Sequence, residues 1–307
     1  MKKISFIITA YNEEDNVIEL HKQIESEIKN NNLYEYEYIF IENGSTDNTF
    51  QNLVSIKQKS NNVKILKLSR NFGFDGGITA GLDFTDSDAA IIMTANLQDS
   101  PKVIPQFIKG WEDGYEMVYG IVKSRPGKSI FRKINSKIFY SIITKMTNNL
   151  IPKGVSDFRL VDRKVIDALK QIRETNRFYR GFFSWVGFKS KGVEFERQER
   201  FSGESKATTL KVFGFALRGL FAFSQYPLRV SIFFSILFTI SSISVLGIQT
   251  YKWISYGVPF DGYGTIIGLL LLISALLFGV LAIVSQYVAL IFEETKSRPL
   301  YIIDEMF

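Results

Sequence analysis

The chain has 307 residues, no cysteine and one histidine, with 46% apolar and 22% charged residues and a formal net charge of +6. Those counts exclude disulfides, thiolate nucleophiles, Cys-ligated zinc and iron–sulfur clusters, and they leave little material for a Ser-His-Asp triad. An excess of positive charge suits nucleic acid, anionic lipid or an anionic substrate, and without a helix-turn-helix, zinc-finger or aromatic–basic RNA motif, nucleic acid is the weakest of the three.

The opening MKKISFIITA imitates a signal peptide, but its apolar run meets Tyr11-Asn12-Glu13-Glu14-Asp15 without a small-residue cleavage site. Ile4 to Ala10 is therefore predicted as the first strand. His21 falls in the helix expected after it and reads as a surface residue. Apolar runs at Tyr36 to Ile41, Val63 to Leu68, Ala89 to Met93 and Met117 to Val122 follow, separated by polar, helix-compatible segments. Such alternation predicts an α/β domain with a parallel sheet and helices on both faces.

The polar motifs fall just after these strands: Tyr11-Asn12-Glu13-Glu14, Glu42 to Asp47, Ser69-Arg70-Asn71-Phe72-Gly73 and Asn96-Leu97-Gln98-Asp99. Open α/β sheets bind ligands at the carboxyl ends of their strands, so the placement points to a site. Each motif alone is modest. Glu42 to Asp47 also reads as a polar turn with Asp47 capping the next helix, and Asp99 before Ser100-Pro101 as helix-initiation chemistry. Further on, Lys123, Arg125, Lys128, Arg132, Lys133 and Lys137 surround Pro126-Gly127. That basic run could guide an anionic headgroup, dock on anionic lipid or be a solvated face. Asp157 and Arg159 share one face of a strand, where Arg159 could grip a phosphate or simply pair with Asp157.

The last third changes character. Leu210, Phe213, Leu217 and Leu220 recur at helical spacing, with Lys211 and Arg218 on another face, which suits a helix in the membrane interface or one packed on the domain. Val230 to Tyr251 and Gly262 to Phe292 are then free of charge, 22 and 31 residues respectively. Each exceeds the roughly 20 residues that cross about 30 Å of hydrocarbon as a helix. Lys211, Arg218 and Arg229 before the first span, and Lys296 and Arg298 after the second, against Lys252 between them, place both ends in the cytoplasm.

Taken together, YNEE at 11–14, ENGSTDNT at 42–49, SRNFG at 69–73, NLQD at 96–99, SDFRLVDR at 156–163, RFYRG at 177–181, RFSGESK at 200–206 and EETKSRPLY at 293–301 make the whole chain resemble the family 2 glycosyltransferases of GT-A fold. Within that family it resembles the membrane-anchored polyprenyl-phosphate glycosyltransferases, which include dolichol-phosphate mannose synthases and bactoprenol glucosyltransferases. The resemblance implies a Rossmann-like, mostly parallel catalytic domain over 1–206, a juxtamembrane amphipathic helix over 207–229, a two-helix anchor over 230–292 (spans about 230–251 and 264–290) and a cytoplasmic tail over 293–307. It implies inverting transfer of a hexose from a nucleotide sugar, a UDP-sugar first, to polyprenyl phosphate at the cytoplasmic membrane, by a homotetramer. The product would be a lipid-linked sugar for cell-envelope glycans.

The resemblance also implies roles. Tyr11, Glu13, Glu42, Asp47, Arg70 and Asn96 would hold the donor. Asp157 matches the family's proposed base position, with Asp99 and Arg159 beside it, while Arg200, Ser205 and Lys206 would hold the acceptor phosphate. The family's strand-four motif, Asp-Ala-Asp-Leu-Gln-Asp, positions Mg²⁺ or Mn²⁺ on the diphosphate. Here it reads Thr94-Ala95-Asn96-Leu97-Gln98-Asp99, and Glu42-Asn43 stands where an Asp pair is usual. Neutral oxygens bind hard cations weakly, so Asn96 and Gln98 would form a weakened metal site. Losing two carboxylates and one divalent cation leaves the formal charge unchanged, and Arg70, Arg200 and Lys206 are candidates to cover the leaving diphosphate. Thr94 and Asn96 equally fit a second reading, a catalytically silent subunit that assists another glycosylation protein.

Overall fold

The structure is a computed structural model that describes residues 1–29, 31–123, 154–197 and 262–307, with scattered positions from 233 to 257. The chain divides into two compact units, Met1–Ala216 with Arg298–Phe307, and Leu217–Ser297.

The first unit opens with β1 (Lys2–Ala10), α1 (Val17–Ile28), β2 (Tyr34–Glu42), α2 (Thr49–Lys59), β3 (Val63–Leu68), α3 (Gly73–Phe84) and β4 (Ala89–Thr94). A 3₁₀ turn (Pro101–Val103) leads into α4 (Ile104–Glu112), followed by β5 (Met117–Val122), β6 (Val155–Asp162), α5 (Arg163–Gln171), α6 (Tyr179–Trp185) and β7 (Ser190–Phe195). The five strands expected from apolar runs are all present. β1 is buried from Ile4 through Ala10 because it lies inside the sheet with both faces covered, which is why it reads as a continuous apolar run. In α1 the buried residues are Val17, Leu20, Ile24 and Ile28, one helical stripe packed on the sheet.

These strands and one more, β8 (Ile303–Met306), form a single sheet in the order β7-β5-β6-β4-β1-β2-β3-β8. β1 pairs in parallel with β2 and β4, and β2 with β3. Two features depart from the expected parallel pattern. β6 runs antiparallel between β4 and β5, and β8, from the segment read as a tail, pairs antiparallel with β3. β8 thereby covers what would otherwise be an open edge. Tyr301 just before it donates to Asp83 at 3.0 Å, and Lys67 bonds Glu305 at 2.6 Å.

α3 is pressed against the sheet. A side chain at Gly81 would collide with Ile7, so the helix needs glycine there to approach β1. His21 is a correction to the sequence reading: its side chain is only 12% exposed and its ring lies 4.7 Å from that of Tyr38. It flanks the buried stripe of α1, and burial lowers its pKa.

In the second unit, positions described from Phe233 to Tyr256 are helical, and α7 (Tyr263–Thr295) runs for 33 residues. Within α7, Leu272–Thr295 contains an 18-residue window with a mean hydropathy of 2.3, and by length and composition it is apolar enough to cross a membrane.

Candidate active site

The parallel strands end together, and the turns that leave them are knitted into one surface. Asn12 adopts a left-handed backbone (φ 53°) that few non-glycine residues take. There its N–H donates to Ser45 Oγ at 3.0 Å and its Oδ1 accepts the Thr46 N–H at 2.8 Å. The Glu13 N–H donates to Thr49 Oγ1 at 2.8 Å and the Glu14 N–H to Asp47 Oδ2 at 3.3 Å. Asp47 also accepts the Thr49 N–H at 3.0 Å, so the helix-start chemistry expected of it is present although Asn48 is the cap residue. Tyr11 and Glu13 lie in the first turn, with Glu13 accepting from the Asn16 amide.

The second and third turns are joined by Asn43. Its buried amide accepts the Phe72 N–H at 2.9 Å and donates to the Gly73 carbonyl at 2.8 Å. Gly44 (φ 69°) passes so close to the Arg70–Asn71 backbone that a Cβ would sit 2.6 Å from the Arg70 carbonyl carbon. Only glycine meets both demands. Buried Glu42 accepts the Ser45 N–H at 2.6 Å, and exposed Arg70 lies over the Phe72 ring at 4.0 Å.

The turn after β4 is the most unusual part. Leu97 is buried in the left-handed region (φ 55°), a conformation that costs of order 1–3 kcal/mol in a non-glycine residue and persists only where surroundings impose it. Asn96 Oδ1 accepts the Gln98 N–H at 3.1 Å, and Asn96 Nδ2 lies 3.5 Å from Gln98 Oε1. Thr94 Oγ1 is buried without a hydrogen-bond partner among the described residues. The Asp99 side chain, 1% exposed, accepts Nε and Nη2 of Arg197 at 3.0 and 3.1 Å and the Ser156 hydroxyl at 3.3 Å. Burial raises its pKa, and Arg197 opposes the rise.

β6 brings the other carboxylate to the same edge. Ile92 pairs with Arg159, which puts Asp157 level with Thr94. Asp157 accepts Nε and Nη2 of Arg180 at 2.7 and 2.5 Å. Burial would push its pKa up, but Arg180, Arg159 and Arg197 together hold it below the ordinary carboxylate value. Asp157 is therefore ionised at neutral pH. Asp75, at the start of α3, accepts the Tyr179 N–H at 3.2 Å, and burial lifts its pKa to about 6.

Arg159 sits differently from the phosphate-gripping role expected of it. It is 2% exposed, with its guanidinium 3.8 Å from the Phe183 ring centre and donating to the Ser156 and Asp157 carbonyls. Desolvation lowers its pKa to about 10. The arginine that clasps Asp157 is Arg180. Sequence reading quoted Arg180 inside RFYRG without giving it a role and passed over Arg197 entirely. The first carried a motif as its signal; the second carried none, because the contact joins residues 98 positions apart. Lys123 pairs with Glu194 at 2.9 Å. Arg125, Lys128, Arg132, Lys133 and Lys137, the residues Arg200, Ser205 and Lys206 expected to hold the acceptor, and the helix expected over 207–229 lie outside the described residues.

The residues at this edge do not fit a divalent cation well. Thr94, Asn96 and Gln98 offer neutral oxygens, Asp99 and Asp157 are each taken by a guanidinium, and among the described residues no three Asp, Glu or His side chains are arranged to hold a metal.

A turn-lined surface at the carboxyl edge of a mostly parallel sheet is where α/β proteins of nucleotide-binding type hold their ligands. The model of glycosyl transferase family 2 matches residues 5–170, more than half the chain, and the protein belongs to that family: it is a glycosyltransferase. Among its relatives, an "Uncharacterized glycosyltransferase" of Synechocystis sp. is 36% identical over 99% of this chain and 95% of its own. A bactoprenol glucosyl transferase of Shigella phage SfX is 33% identical over 98% of each. Glucosyl-3-phosphoglycerate synthase of Mycobacterium tuberculosis, crystallised with Mn²⁺, UDP-glucose and phosphoglyceric acid, shares the fold with a TM-score of 0.52 at 14% identity, over 72% of this chain and 78% of that one.

Proposed function

We propose that this glycosyltransferase moves a hexose, with inversion, from a UDP-sugar to a polyprenyl phosphate at the cytoplasmic face of a membrane, giving a lipid-linked monosaccharide for cell-envelope glycans. The observation that carries this reading is the end-to-end likeness to a bactoprenol glucosyl transferase, since it extends through the apolar α7 as well as the catalytic unit. Two spans over 230–251 and 264–290 would anchor the enzyme to the bilayer with both termini in the cytoplasm, and a helix over 207–229 would lie along its surface. Assembly as a homotetramer belongs to the same reading.

The chemistry asks little of a base. A phosphate monoester has its second pKa near about 6, so the acceptor oxygen is already anionic at neutral pH. Asp157, kept ionised by Arg180, would orient that acceptor or place negative charge beside the developing oxocarbenium-like carbon. The knitted turns of Tyr11, Glu13, Glu42 and Asp47 form the wall for the nucleotide, and Asn96 and Arg70 flank its diphosphate. Arg200, Ser205 and Lys206 would receive the acceptor phosphate.

The test is transfer by purified full-length protein from a panel of UDP- and GDP-sugars to undecaprenyl phosphate. Transfer is expected with one UDP-sugar, with Asp157→Asn lowering kcat by roughly 100-fold or more. Folded protein that transfers from no donor, yet still binds lipid phosphate, would replace this reading with the silent subunit that Thr94 and Asn96 also fit.

A further inference from the structure

The family's strand-four motif faces the donor diphosphate with carboxylates, and a carboxylate can only accept hydrogen bonds. Two anions of that kind need a cation between them. In this chain the corresponding side chains are Thr94 and Asn96, a hydroxyl and an amide, and both carry N–H or O–H donors. The exchange does more than weaken a metal site. It turns an acceptor-only wall into one able to meet phosphate oxygens directly.

The surroundings agree. Thr94 Oγ1 is buried with no partner among the described residues, a polar atom left for something that the protein does not supply. The turn that carries Asn96 is held in place by left-handed Leu97. Beside it stand two guanidiniums, Arg197 on Asp99 and Arg180 on Asp157, with side chains 23% and 26% exposed against 1% and 21% for their carboxylates. Arg197 in particular lies outside the carboxylate that it covers. The Arg197 guanidinium has five N–H donors and Asp99 engages two of them, so this arginine can contact Asp99 and a phosphate together.

We infer that this enzyme holds the diphosphate of its donor without a bridging divalent cation, through Thr94, Asn96 and Arg197. The inference rests on the proposed nucleotide-sugar reading and deepens it. The charge that develops on the departing nucleoside diphosphate is met by a fixed guanidinium and by neutral donors, which need no reorganisation when the glycosidic bond to the diphosphate breaks. Asp99 holds Arg197 in position in the meantime.

The test is UDP binding to purified full-length protein by calorimetry, in EDTA and in Mn²⁺, with Mn²⁺ uptake followed by electron paramagnetic resonance. Wild type is expected to bind UDP in EDTA within about threefold of its affinity in Mn²⁺, and to take up no Mn²⁺ with UDP. Arg197→Lys, which keeps the charge but loses the planar fork, should weaken UDP in EDTA about tenfold. Thr94→Asp/Asn96→Asp should reverse the behaviour, losing UDP in EDTA and recovering it with stoichiometric Mn²⁺; its thermal unfolding shows that it is folded. Wild-type UDP binding that disappears in EDTA and returns with Mn²⁺ overturns the inference and leaves the proposed function standing. Wild type that binds neither UDP nor GDP in either condition removes the proposed function, and this inference with it.

Discussion

Asp99 and Arg197 offer the sharpest energetic test of the site. Arg197→Met removes two charge-assisted hydrogen bonds, at 3.0 and 3.1 Å, from a carboxylate whose side chain is 1% exposed, and among the described residues leaves it the Ser156 hydroxyl. Breaking a buried pair from one side costs about 3–5 kcal/mol, because the remaining charge stays desolvated. At roughly 2–4 °C per kcal/mol, the unfolding midpoint of the catalytic unit should fall by about 6–20 °C at pH 7.5. Burial already raises the pKa of Asp99, and without Arg197 it rises further. A carboxyl whose folded pKa is raised carries its penalty above that pKa and sheds it as pH falls toward the unfolded value near about 4, so the deficit should shrink at pH 5. The assay is thermal unfolding in detergent at both pH values, for Arg197→Met and for Arg197→Met/Asp99→Asn. The double variant should recover most of the loss. A fall below about 2 °C, or one that Asp99→Asn leaves untouched, would refute the reasoning.

Three further outcomes follow from the same structure. Asp75, lifted by burial to about 6, destabilises the folded state when ionised, so Asp75→Asn should stabilise the protein by about 1–3 kcal/mol at pH 7.5. That gain should fade toward pH 4; thermal unfolding across the range measures it, and a gain that grows on acidification would contradict it. Gly81→Ala should lower stability by about 1–3 kcal/mol despite alanine's better helix propensity, since the new methyl meets Ile7 and the helix cannot move off β1 without losing its packing. A neutral result would mean that α3 is less tightly seated. Deletion of 303–307 removes β8 and its Lys67–Glu305 pair and bares the β3 edge, so the truncated protein should unfold at lower temperature and aggregate faster on size-exclusion chromatography.

Much of the fold was legible because buried parallel strands leave a direct trace. Val63 to Leu68 and Met117 to Val122 were bounded correctly, the second from an unbroken apolar run and the first because Val63, Ile65, Leu66 and Leu68 are buried although Lys64 and Lys67 lie among them. The motif turns were legible for a related reason: polar residues that interrupt such runs must sit where the strands end. Strand direction was not, because antiparallel β6 between two strands obeys the same apolar rule as a parallel one. Ile303–Met306 was hidden as well. Of its four residues only Ile303 is partly buried while the other three are exposed, and the segment becomes a strand through backbone pairing with β3, which leaves no mark on side-chain pattern.

The site divides in the same way. The sequence by itself determined that Thr94 and Asn96 replace carboxylates, that Asp99 and Asp157 remain, and that a polar turn follows each of the first four strands, because these are matters of residue identity and local order. Only the tertiary structure decided which charges meet. Asp157 finds Arg180, 23 residues on, rather than Arg159 on its own strand, since Arg159 is drawn under Phe183 while α6 carries Arg180 back across the end of β6. Asp99 finds Arg197 across 98 residues. Pairings of that kind depend on where the chain folds back on itself, and Coulomb energy acts through space without regard to position along the chain.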